Sequence, residues 1–190
     1  MTEPTTDRVG VRGSTIVTRS GVYFDFENPD PATIHIEDIA WALAHTCRYG
    51  GHTTAFYSVA QHSVMVCRMV PPWLALTGLL HDASEAYVGD VVKPLKLLLP
   101  GYREIERRVE RAIAERFGLF WPWHPAIKHA DLRALRTEQR DVTAAASHAW
   151  PGVDYYEPLD ARIRPLPPLA AARLFLRWFD TLTSARREAA

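Results

Sequence analysis

The stretch LLHDASEAYVGD, residues 79 to 90, sets His81 beside Asp82 inside an apolar run and adds Glu85 and Asp90 within the next eight positions. Read as a helix, the segment places Glu85 one turn beyond His81 and three residues beyond Asp82, so the three side chains project to one side. A buried imidazole or carboxylate needs a partner, and a divalent metal satisfies several at once. A neutral His nitrogen with a hard Asp oxygen suits Mn, Co, Fe, Zn or Mg-type ions. Two ligands do not make a site. His62 is the best third candidate, because it sits on the apolar face of the preceding predicted helix, where an imidazole without a partner would be awkward. For the fourth ligand Asp131, Asp141, Asp154 and Asp160 compete. Asp131 lies near the start of a long predicted helix beside Leu132 and Leu135. Asp141 reads as a surface charge, and Asp154 and Asp160 fall in a Pro-rich connector.

The elements that must position these groups are mainly helical. STIVTRSGVYFDF, residues 14 to 26, alternates β-branched or aromatic residues with polar ones around Ser20-Gly21 and predicts a short β-hairpin. From Ile36 the apolar spacing becomes helical (Ile36, Ile39, Ala40, Leu43, Ala44) until Gly50 and Gly51 break it. Further helices are predicted from about Ala55 to Met69, Trp73 to Tyr87, Tyr102 to Phe117, Ala126 to Ala149 and Leu169 to Ala185. The third opens after Pro71-Pro72, since proline suits a helix start and not its interior. FWPWHP reads as a loop and EPLDARIRPLPP as a connector. The last helix carries Leu169, Ala172, Leu176, Phe179 and Leu182 as an amphipathic stripe. The expectation is one all-α domain over residues 1 to 190 with a small N-terminal hairpin.

Composition narrows the function. The 190-residue chain is 47% hydrophobic, and its 22 Lys plus Arg balance its 22 Asp plus Glu. A zero formal charge offers no long-range field for nucleic acid polymers and no basic tail for a membrane surface. No apolar run is long enough to span a bilayer. MTEPTTDRVG lacks the apolar stretch of a secretory signal. Cys47 and Cys67 form neither a metal-type pair nor a disulfide framework. These features together predict a cytoplasmic, reduced protein.

The ordered set His62, then His81-Asp82, then Asp131 resembles the H…HD…D signature of the HD-domain metal-dependent phosphohydrolase superfamily. CRYGGHTTAFYSVAQHS, LLHDASEAYVGDVVKPLK and KHADLRALRTEQRD are similar to segments of the bacterial 5'-deoxynucleotidases of that superfamily, and to phage HD enzymes that hydrolyse deoxynucleoside triphosphates. The matching segments span about residues 34 to 141. The resemblance implies a helical bundle holding one divalent metal through His62, His81, Asp82 and Asp131, with water acidified at the ion as nucleophile. It gives Glu85 the part of orienting that water or shuttling its proton. It makes Asp90 a proton donor to the leaving oxygen or a holder of the sugar. Read without the resemblance, Glu85 is a helix-face salt-bridge residue and Asp90 a turn residue beside Gly89.

Phosphate needs cations. Arg48 stands at the end of the first predicted helix, where similar deoxynucleotidases carry a phosphate-binding Arg, and a guanidinium can grip phosphate with two parallel hydrogen bonds. Lys96, after Pro94, is a second contact, with Lys93 as alternative. Tyr49 follows the Arg where the family often has Trp, which keeps an aromatic surface beside the substrate. A second metal would require His52 and His129 to turn inward as well. His35 and His45 read as helix-end or surface positions, and His124 and His148 have no partners in view.

The function implied is removal of the 5'-phosphate from deoxynucleoside monophosphates. A triphosphohydrolase releasing triphosphate is the enzymatic alternative, with alarmone hydrolysis third. A nucleotide-sensing module, or a purely structural metal site, represents the non-enzyme class. Structural sites are normally closed by four protein ligands with Cys prominent. The partners implied are a small nucleotide and further copies of the chain, with the face around Trp178 and Phe179 either an interface or a cover for the core.

Overall fold

The computed structural model describes residues 13 to 188; the first ten residues, read above for a secretory signal, lie outside that range. The fold is mostly α with an N-terminal β-hairpin. Strand β1 (Thr15–Val17) pairs antiparallel with β2 (Tyr23–Asp25), Ile16 opposite Phe24. Helix α1 follows (Ile36–His45), and the hairpin docks on it through Ser20, whose backbone N–H and hydroxyl donate to the buried Asp38 carboxylate at 2.9 and 2.6 Å. Phe24 is fully buried and stacks on Tyr87 with 4.1 Å between ring centroids.

Helix α2 (Val59–Met69) begins where the Ser58 hydroxyl accepts from the Gln61 N–H, an N-cap that starts the helix four residues later than its apolar spacing predicts. Helix α3 (Ala75–Leu80) is short. Its Gly78 allows the two helices to touch, because a Cβ there would lie 3.0 Å from the Val70 side chain and 3.1 Å from the Cys67 Cα. That close approach brings residue 81 beside residue 62.

The helix predicted over Trp73 to Tyr87 is in fact broken. After Leu80 the chain tightens into i→i+3 bonds, Ala83 N–H to Leu80 and Glu85 N–H to Asp82, before helix α4 (Glu85–Val88). Such a tightened stretch inside a helical run marks a functional or strained segment, and here it carries the His-Asp doublet. Gly89 (φ 80°) ends α4 in a conformation that disfavours L side chains and redirects the chain to Asp90. Lys96 lies in a short helix, α5 (Lys93–Lys96).

Helix α6 (Tyr102–Phe117) has its predicted bounds. Helix α7 (Pro125–Val142) stops seven residues before the predicted end, where Thr143 turns extended and its hydroxyl accepts from the Ala145 N–H. Helix α8 (Pro168–Glu188) packs against α1, α2 and α3, with Ala171 and Phe175 fully buried and Trp178 and Phe179 laid against the same core. That face therefore covers the core. Burial of a side chain such as Phe175 contributes on the order of 2–3 kcal/mol. No helix of the described residues is long and apolar enough to cross a membrane.

Candidate metal centre

Four side chains from three parts of the chain meet between α2, the tightened turn and α7. The His62 Nε2 lies 3.3 Å from Asp82 Oδ2 and 3.5 Å from Asp131 Oδ1, and the His81 Nε2 lies 3.1 Å from the same Asp82 oxygen. His62, His81 and Asp131 each present a ligand atom within 4.8 Å of the others. The orientation of both rings is fixed from behind. His62 Nδ1 is 2.6 Å from Glu138 Oε1, and His81 Nδ1 is 2.9 Å from the Gly78 carbonyl oxygen. With Nδ1–H donated in each case, Nε2 is the ring atom turned toward the carboxylates, and both Nε2 atoms are buried without a hydrogen-bond partner. This donor set suits a divalent ion that would take the place of a proton: two imidazole nitrogens, two carboxylates, and the carbonyl and carboxylate supports that metal-ligating histidines ordinarily have. The cluster could therefore hold a metal.

The electrostatics point the same way. Burial and Arg48 press the His62 imidazole toward neutrality, yet Glu138, Asp131 and Asp82 outweigh them and hold it well above its ordinary value. Burial opposes ionisation of Asp82 and Asp131, but His81 and His62 around them keep both well below the carboxylate range. A site that gathers this much negative charge about a proton is one that a cation stabilises.

Arg48 lies outside the first helix, in the 3-10 turn Arg48–Gly51, because α1 ends at His45. Its N–H donates to the Tyr57 carbonyl and its Nε to Glu138 Oε2 at 3.1 Å, and its NH1 lies 3.7 Å from Asp82 Oδ2. Tyr49 has φ 58° and ψ 29°, a left-handed conformation unusual for a non-glycine residue, and its hydroxyl donates to Glu138 Oε2 at 2.6 Å.

Glu85 is buried one residue beyond the turn. Burial first, then Asp82 and Asp90, raise its carboxyl well above the ordinary value against Arg48 and Lys96. Burial likewise raises Asp90, with Asp82 adding to it and Arg48 opposing. Lys96 reaches this edge of the site, with its ammonium 3.6 Å from Glu85 Oε1 and 2.6 Å from Glu106 Oε1, so it is already paired. Lys93 is exposed.

The competing ligands lie elsewhere. Asp141, read as a surface charge, has a side chain only 2% exposed and binds Arg140, Arg162 and the Ile163 N–H. Asp154 faces Arg136 at 3.6 Å, and Asp160 is exposed. His52 and His129 are exposed, the latter edge-on to Tyr156, so neither joins the cluster. His124 caps α7, its Nδ1 accepting from the Ala126 N–H.

No family model matches the chain. It is 38% identical over 175 residues to the uncharacterized protein YfdR of Escherichia coli (strain K12), covering 92% of this chain and 98% of that one. The chain belongs to the YfdR family. A second relative, an uncharacterized protein of Rhodobacter capsulatus, is 37% identical over 174 residues, covering 80% of this chain and 88% of its own length. The likeness to YfdR thus runs over nearly the whole fold and is not confined to one motif.

Within this YfdR-family fold, Glu138 is the site residue that sequence reading passed over. A signal was present: it stands seven residues after Asp131, two helical turns along the same face of α7. Its neighbours in RTEQRD are charged or polar, which conceals a side chain that is fully buried.

Proposed function

We propose that this protein is a metal-dependent phosphohydrolase of deoxynucleotides that removes the 5'-phosphate from deoxynucleoside monophosphates. The observation that carries the reading is the pair of buried Nε2 atoms without partners, aimed at Asp82 and Asp131, with the Arg48 guanidinium 3.7 Å from Asp82. His62, His81, Asp82 and Asp131 would hold one divalent ion of the Mn, Co, Fe, Zn or Mg kind. When bound, such an ion acidifies water and offsets phosphate charge. Arg48, braced from behind by Glu138, faces the phosphate as a preorganised cation. Glu85 keeps its proton to higher pH than a free carboxyl and can give or take one beside the reacting group. Asp90, at the turn after Gly89, is placed to meet the leaving oxygen or the sugar. The reading carries a cytoplasmic location and self-association with it. The exposed apolar run Val92, Leu95, Leu97, Leu98 and Leu99 is the kind of surface that association buries.

A second reading, release of triphosphate from a deoxynucleoside triphosphate, is favoured by one feature. A cavity of about 500 Å³ is lined by Lys96, Arg103 and Arg107 with Glu104, and it adjoins the Lys96 that reaches Glu85. One experiment separates the readings. The manganese-loaded protein is incubated with deoxy- and ribonucleoside mono- and triphosphates, and the phosphorus product is identified. Inorganic phosphate from monophosphates is expected, with ribonucleotides poorer substrates. Intact triphosphate would overturn the monophosphate reading, and no product from any nucleotide would overturn both.

A further inference from the structure

Glu138 is fully buried and makes three contacts with two oxygens. Oε1 lies 2.6 Å from His62 Nδ1, while Oε2 accepts from Arg48 Nε at 3.1 Å and from the Tyr49 hydroxyl at 2.6 Å. We propose that Glu138 is a positioning residue that fixes His62 and Arg48 through one carboxylate, so that the metal-holding imidazole and the phosphate-gripping guanidinium are set in a single geometry. The inference rests on the proposed function and extends it to a residue that touches neither metal nor substrate.

Three physical points support it. First, a carboxylate accepting from Nδ1–H orients the ring and raises the basicity of Nε2, the atom that faces Asp82 and Asp131. Second, Glu138 and His62 are fully buried and Arg48 nearly so, so a lost acceptor there is not readily replaced by bulk solvent. Third, the left-handed backbone of Tyr49 persists only where its surroundings over-determine it, and the 2.6 Å bond to Glu138 is one such restraint. Tyr49 is bonded from its tip to the same oxygen as Arg48, so α7 restrains both neighbouring side chains. Helix α7 therefore supplies both Asp131 and the brace for His62, two turns apart.

Glu138→Gln conserves shape and breaks this logic. An amide has one acceptor oxygen and one donor NH₂, whereas all three partners are donors. The guanidinium cannot release its proton and the imidazole can, so the amide oxygen goes to Arg48 and Tyr49 and the NH₂ faces His62. The His62 ring then carries its proton on Nε2, toward the ion. On the full chain, affinity for manganese alone, measured by competition with a chromophoric chelator, should fall roughly 10–100-fold. At saturating metal, KM should rise more than kcat falls, because a neutral amide oxygen positions the Arg48 guanidinium less firmly than a carboxylate does. Arg48→Gln should then add little to KM in the Glu138→Gln background compared with its effect alone. Glu138→Asp, which keeps the charge but withdraws it by one methylene, should recover part of the metal affinity, and it decides the matter if the Gln variant does not fold.

Folded Glu138→Gln with wild-type manganese affinity would overturn the proposal. Fully additive effects of Arg48→Gln and Glu138→Gln on KM would overturn the coupling. Failure of the underlying function looks different: wild-type protein would then bind no divalent metal or would convert no nucleotide.

Discussion

Helix α7 carries carboxylates of two kinds. Asp141, near its C-terminal end, is closed by the protein itself: Arg140 donates to both oxygens at 2.6 and 2.8 Å, Arg162 donates at 2.7 Å, and the Ile163 N–H at 2.9 Å. Asp131, near the start, divides its two oxygens: Oδ2 accepts from the Lys128 ammonium at 2.6 Å on the outer side, while Oδ1 turns inward to within 3.5 Å of His62 Nε2. One charge is finished and fastens the connector to the helix. The other is only half finished, with one oxygen paired to Lys128 and one turned toward two imidazoles and a second carboxylate, where a cation would find further partners. The difference separates a charge that only holds the fold from one whose inner oxygen lies in a cluster that could hold a cation.

The strongest way to break that comparison is to remove the open cluster. His81→Ala or Asp82→Ala should abolish metal binding, read by elemental analysis after loading and desalting, with phosphate release lost in parallel. Full metal occupancy in both variants would leave the cluster as an internal ion-pair network like that of Asp141. Asp131→Ala should behave as they do, because it supplies the third of the converging ligand atoms.

A step further from the cluster, Glu85→Gln should keep the metal and slow turnover by roughly 10²–10⁴-fold, the usual contribution of a positioned acid or base. Near-normal kcat would make Glu85 a partner of Lys96 and nothing more. Smaller again is Arg48→Ala. Loss of a charge-assisted contact to phosphate should raise KM on the order of tenfold or more while metal content holds. Unchanged KM would transfer the phosphate to Lys96, whose ammonium is already held by Glu106.

The same contrast explains what could be read from the sequence. Apolar spacing found the helical regions, because the buried stripes of α1, α2, α6 and α8 follow the 3.6-residue period. The candidate ligands were visible as well, since His and Asp on apolar faces stand out from their surroundings. Spacing did not reveal the break after Leu80, because a tightened turn uses the same apolar residues as a helix and is selected by contacts across the site. Glu138 was passed over and Asp141 was read as a surface charge for a common reason. In RTEQRD both stand among charged or polar residues, which look the same in sequence whether a carboxylate is solvated or enclosed by an Arg from another segment, as Arg48 encloses Glu138 and Arg162 encloses Asp141.

Asp141 gives the smallest and cleanest test, because its partners predict a pH window. Burial alone would raise its carboxyl, but Arg140, the Ile163 N–H and Arg162 together lower it from 3.8 to about 2. A folded-state value below the unfolded one means that the ionised form stabilises the fold. That contribution is fully present above about pH 4 and disappears as pH falls through 2. At 1.36 kcal/mol per unit it amounts to on the order of 2 kcal/mol. Asp141→Asn should therefore lower Tm at pH 7 by about 5 °C for a chain of this size. The gap to wild type should close as both are titrated toward pH 2, and manganese affinity should stay at the wild-type value throughout. A variant that lost its metal would show that the two ends of α7 are not independent, because the connector pinned by Asp141 would then be setting the position of Glu138 one turn away. A constant gap in Tm down to pH 2 would mean that Asp141 acts through packing and not through its charge.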